Sequence, residues 1–153
     1  MFQNGTVPAS DSKLVQVNRL GRVAVQLREV TGTAATRGGL APWQVRRVTG
    51  YIEEHLASTI RLQDLARIAR LSHSHFCRAF KESIGHPAHA YVMRRRVQRA
   101  QGLMLTTTES LSQIAAQCGM ADQAHFCKLF RRLVGESPNA WRRARRQGDP
   151  EAA

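Results

Sequence analysis

The chain has 153 residues and is 42% hydrophobic, which suits one ordinary domain and is too short for a cofactor domain joined to a large substrate domain. Its 23 Lys and Arg against 11 Asp and Glu leave a formal charge of +12, and all the basic residues except Lys13, Lys81 and Lys128 are arginine, so polyanions such as nucleic acid or an anionic membrane head the partner classes. Three cysteines make no disulfide framework, the opening MFQNGTVPAS lacks the parts of a secretory signal, and no apolar run approaches the roughly 18 residues of a membrane span; a cytoplasmic protein without a membrane partner is expected.

Residues 1–41 are rich in Gly, Thr, Ser and Asn. Val15 and Val17, then Val23, Val25 and Leu27, alternate as strands do, with Leu20-Gly21 as a turn between them. An isolated hairpin is marginal in water, so a flexible or weakly ordered arm is expected. Pro42 then opens a helix, with Val45, Val48, Ile52 and Leu56 at helical spacing. From Pro42 to Gln147 there are 18 basic and 7 acidic residues, so the charge sits on this compact part. Residues 148–153 read as a frayed tail.

The compact part repeats itself. HFCRAFKESIG, from His75 to Gly85, returns as HFCKLFRRLVG, from His125 to Gly135, at an offset of 50 residues. A shorter apolar helix precedes each copy, starting at Leu62 and at Leu111. Each copy reads as helix, turn, helix. In the first, Leu62, Leu65, Ala66 and Ala69 face a core, Arg70-Leu71 turns, and Ser72 caps the next helix. In the second, Leu111, Ile114, Ala115 and Cys118 face the core, Gly119 turns, and Asp122 caps; Ser110 with Gln113 forms a capping box. Ala66 and Ala115 are small where steeply crossed helices approach, the geometry of a helix-turn-helix. The first unit covers about 42–86 and the second about 110–147. Between them, residues 88–105 form a basic amphipathic helix of roughly 27 Å, on which Tyr91, Val92, Arg95, Arg99 and Leu103 share faces with apolar neighbours. Ser137-Pro138 starts a last short basic helix.

The second helix of each unit carries the chemistry. Phe76, Ala79, Phe80 and Ile84 make one buried face, and Phe126, Leu129, Phe130 and Val134 the other. Outward fall Ser74, Cys77, Arg78 and Lys81, and in the second unit Gln123, Ala124, Cys127, Lys128 and Arg131. An α-helix fits the B-DNA major groove, where Arg or Lys pairs with guanine O6/N7 and Gln with adenine. The linking helix plus the packed units can separate two such probes by about 34 Å, one turn of duplex.

The stretch from Gly39 to Arg143, some two-thirds of the chain, resembles the DNA-binding domain of the AraC/XylS family of bacterial transcription regulators. The resemblance rests on LQDLARIARLSHSHFCRAFKESIGHPAHAYVMRRRVQRAQGLM and IAAQCGMADQAHFCKLFRRLVGESPNAWRR, with Ala115, Cys118-Gly119, Phe126, Phe130, Gly135, Pro138 and Trp141-Arg142 in the family's order. It implies an all-α fold of seven helices, two homeodomain-like helix-turn-helix units joined by a long helix. It implies base contacts from Ser74, Cys77, Arg78, Gln123, Ala124, His125, Cys127 and Lys128. Phosphate contacts are expected from Lys81, Arg95, Arg96 and Arg131. It also implies double-stranded promoter DNA as partner, RNA polymerase as a second one, mostly activation, and action as a monomer or weak dimer. Two features depart from the pattern. Arg70 stands where a glycine often makes the first turn. The leading 42 residues are too few for the effector-binding domain of many members, so a stand-alone or separated DNA-binding domain is expected.

Other readings of the same residues compete. His73, His75 and Cys77, with His125 and Cys127, suggest metal ligands, but a helix turns His75 away from the other two, and a zinc site wants about four converging ligands. No metal or other cofactor is expected, and Cys118 reads as core. Cys77 and Cys127 on a positive face suit redox sensing, which, with non-specific nucleic-acid binding, is the alternative function. No nucleophile–base pair, glycine-rich phosphate loop or metalloprotease helix points to an enzyme.

Overall fold

A computed structural model describes residues 37–147. The alternating segment from Val15 to Leu27 and the tail at 148–153 lie outside the described residues. Among the described residues, seven helices and no strand are found: α1 Pro42–Glu54, α2 Leu62–Ile68, α3 His73–Ile84, α4 Ala88–Thr106, α5 Leu111–Gln117, α6 Gln123–Val134 and α7 Pro138–Arg146. The caps read from the sequence form. The backbone N–H of His75 donates to Ser72 Oγ at 3.3 Å and that of His125 to Asp122 Oδ1 at 2.7 Å. Ser110 and Gln113 make the reciprocal capping box. Each satisfies N–H groups that have no partner inside a helix's first turn.

Two hydrophobic cores form, and α4 serves both. The first gathers Val45, Val48 and Ile52 of α1, Leu65 and Ala66 of α2, Phe76, Ala79 and Phe80 of α3, and Ala88, Tyr91 and Val92 from the start of α4. The second takes Val97, Ala100 and Met104 from the end of α4, with Ile114, Ala115, Cys118, Phe126, Phe130 and Trp141. Met93 touches both. Thus α4 closes the first unit and opens the second. The repeat of 50 residues explains how: Tyr91 packs edge-on against Phe80 with ring centroids 5.6 Å apart, and Trp141 does the same to Phe130 at 5.8 Å. Such T-shaped pairs add to the area they bury.

The turn inside each unit has the same backbone. Leu71 N–H returns to Ala66 O, and Met120 N–H to Ala115 O, both at 3.0 Å. This ending needs a left-handed residue. Gly119 supplies it at φ +70°, and Arg70 adopts it at φ +57° despite its side chain. The departure at Arg70 therefore leaves the turn intact. Gln44 ties α1 to this region, accepting from Ala41 N–H at 2.7 Å and donating to Ala69 O at 2.6 Å.

Candidate nucleic-acid interface

The capped helices α3 and α6 present matching faces. From Ser72 to His89 and from Asp122 to Asn139, the succession of exposed, half-buried and buried positions is identical, residue for residue, at the offset of 50. Phe76, Ala79 and Phe80 anchor α3, and Phe126, Leu129 and Phe130 anchor α6. That anchoring leaves Ser74, Arg78 and Lys81 exposed on one helix, and Gln123, Ala124, His125, Lys128 and Arg131 on the other. Cys77 and Cys127 hold equivalent half-buried positions at the edges of the two cores. Cys77 Sγ lies 3.9 Å from His73 Nε2, the i, i+4 neighbour on the same helix. Among the described residues no group of three His, Cys, Asp or Glu could hold a metal ion, and no helix is long and apolar enough to cross a membrane.

The linking helix corrects two expectations. Arg96 does not face outward: it is 7% exposed, and its Nε donates to Leu56 O at 3.0 Å and its Nη2 to Ser58 O at 2.7 Å. Arg95 is committed as well. Its Nε and Nη2 fork onto the Glu53 carboxylate at 2.5 and 2.7 Å, and its Nη1 donates to Gln98 at 2.8 Å. The physical reason is helix register. The buried stripe of α4 runs Val92, Arg96, Ala100, Met104, at steps of four, so Arg96 takes the core side and Arg99 the exposed side. The hydrogen bond to Glu53 holds the Arg95 guanidinium above its usual pKa, whereas burial lowers that of Arg96. Neither presents a free guanidinium to a phosphate, so both leave the candidate contact set.

The C-terminal arginines divide in a way the sequence does not announce. Arg142 reaches back across the fold, donating to Met104 O at 3.0 Å, Glu109 O at 2.7 Å and Thr107 O at 2.6 Å. It thereby satisfies carbonyls at the end of α4 and in the loop to α5. Arg146 also donates to Thr107 O. Arg145 lies 4.4 Å over the Trp141 ring and pairs with Glu136 at 3.0 Å. Arg143 is exposed.

A family model described as "Helix-turn-helix domain" matches residues 65–144, more than half of the chain. A transcriptional regulator from Chromobacterium violaceum, of the AraC-type DNA-binding domain-containing proteins, superposes with a TM-score of 0.64 at 25% identity, over 68% of this chain and 93% of that one. The chain belongs to the AraC/XylS family. This is a family of DNA-binding transcription regulators, not of enzymes. The AraC-type domain is also similar to the DNA-binding domain of the global transcriptional factor AdpA, solved in complex with a target DNA. That match has a TM-score of 0.68 and 29% identity, and covers 73% of this chain and 100% of that one. Among curated relatives, the probable transcriptional regulator LumQ of Photobacterium leiognathi is 38% identical over 77 residues, which are 50% of this chain and 31% of LumQ. The AraC-type chain thus spans about a third of that relative's length.

Proposed function

We propose that this domain binds double-stranded promoter DNA by laying α3 and α6 into adjacent major grooves on one face of the duplex. Residues near the N-terminus of such a helix reach base edges. On this reading Arg78 and Lys128 pair with guanine, Gln123 pairs with adenine, and Ser74, Cys77, Ala124, His125 and Cys127 complete the two contact surfaces. Lys81 and Arg131, both exposed and 50 residues apart, take phosphates. The observation that carries the reading is the identical exposure pattern of the two helices: one scaffold, built twice with different exposed side chains, suits a pair of half-sites. The likeness to a DNA-bound domain over that domain's full length supports it. One chain then reads both half-sites, as a monomer or weak dimer, without a cofactor. By family resemblance it acts on the nucleoid, in the cytoplasm, as an activator that also engages RNA polymerase.

The test is selection of bound duplexes from a random pool, followed by footprinting. The expected result is two protected windows about 10–10.5 base pairs apart, centre to centre. A single window, or competition by single-stranded RNA as effective as by the selected duplex, would refute it and leave a non-specific basic binder.

A further inference from the structure

Two probes on one duplex demand a fixed separation, yet the two units hold separate cores that share only α4 and the Met93 side chain. Between them lies an open cleft of about 600 Å³, bordered by Ile60, Leu62, His89, Met93 and Met120, so apolar packing does not weld the units together. At one edge of that cleft the backbones meet. The Arg96 guanidinium, on α4 at the boundary between the cores, reaches the turn after α1 through the Leu56 and Ser58 carbonyls. On its other side stands Gly119, the turn residue of the second unit. A methyl group placed on Gly119 would stand 3.0 Å from Arg96 Cζ and would collide with the Leu56 carbonyl oxygen. Backbone of the first unit, the arginine and backbone of the second unit thus form one stack.

We propose that this stack of Leu56 carbonyl, Arg96 guanidinium and Gly119 is the joint that sets the separation and phase of the two recognition helices, and so makes the domain discriminate operators by half-site spacing. The inference rests on the two-groove reading above. Arginine fits the task because its planar fork serves two carbonyls at once. Those carbonyls sit where no helix can satisfy them, so the guanidinium is held in place against Gly119 of the second unit. A long helix by itself bends, and domains joined by small interfaces move relative to each other by default. Arg96 is a positioning residue: it acts on DNA only through the placement of α3 and α6.

The experiment compares the parent with Arg96→Met, Arg96→Lys and Gly119→Ala on three duplexes: the selected operator, the same operator with two base pairs inserted between half-sites, and a single half-site. Arg96→Met keeps the bulk and removes the donors. It should bind the single half-site within about twofold of the parent, and the operator about tenfold more weakly, because fewer molecules hold both probes in the competent geometry. Its preference for the operator over the inserted duplex should shrink by at least about fivefold for the same reason. Arg96→Lys should recover part of that preference, and Gly119→Ala should lose it from the opposite side of the joint. Nitroxides on Cys77 and Cys127, at matching positions of α3 and α6, give the second readout: their distance distribution should broaden or shift in Arg96→Met. An unchanged spacing preference, equal losses on all three duplexes, or an unchanged distance distribution would overturn the joint. A parent with no spacing preference would instead overturn the two-groove reading, and the nitroxide distances, which involve no DNA, would still decide the joint.

Discussion

Replacing Arg142 with alanine removes three hydrogen bonds that run from α7 to the end of α4 and the loop after it. Each joins a charged donor to a carbonyl, a class that contributes about 1.5–3 kcal/mol per bond. The sum overstates the loss, because the site is only part-buried and water regains access to the abandoned carbonyls. A net destabilisation of about 3 kcal/mol follows. In a domain of this size that lowers Tm by roughly 10–15 °C. The matching position of the first unit holds Val92, buried in a core, so Val92→Ala should behave as an ordinary core truncation. Urea unfolding is the assay, with the midpoint expected to fall at constant slope. Arg142→Lys should retain only a minor part of the stability, since an ammonium group cannot span three carbonyls as a planar fork does. If both variants lose less than about 1 kcal/mol, the three bonds carry little net energy and the reasoning fails.

Arg78→Ala should weaken binding to the selected duplex by about 1–3 kcal/mol and relax preference at one base position; an equal loss on random DNA would remove Arg78 from base readout. Arg131→Gln should reduce the log–log dependence of affinity on salt by about 0.9, measured by titration from low to moderate salt; an unchanged slope would deny the phosphate contact. Arg70→Gly should change stability by less than about 1 kcal/mol, because relief of the left-handed side chain is offset by the extra freedom of an unfolded glycine and by loss of the Arg70 contact over the Trp43 ring, and a larger change in a thermal melt would contradict that balance. Burial pushes the Cys118 thiol up to about 11, while an unfolded cysteine ionises near ~8.5. The native state therefore binds the proton more tightly, and this contribution is complete below about pH 8.5 and lost as pH rises towards 11. Cys118→Ala, which copies the fully buried Ala69 of the first unit, should remove that part of the alkaline decline in stability.

Much of this protein was legible as a string. Local rules placed the caps at Ser72, Ser110 and Asp122, because a side-chain oxygen at a helix start acts on its own next turn. Helical periodicity placed the phenylalanine seams of α3 and α6, and by subtraction their exposed faces, because a 3.6-residue period fixes which side chains share a side. The duplication at an offset of 50 residues disclosed two matching capped helices. What only the tertiary structure decided was the fate of the arginines. Arg95 and Arg96 read as cations free to meet phosphate, but Glu53 lies 42 residues from Arg95, and the carbonyls that receive Arg96 lie 40 and 38 residues away along the chain. Arg96 did leave a trace, since Val92, Arg96, Ala100 and Met104 form one stripe at steps of four; its charge argued against burial until carbonyls of another unit were seen to receive it. A guanidinium is turned inward or outward by whichever acceptor the fold brings within reach, and that choice is made by packing across the chain rather than by neighbours in sequence.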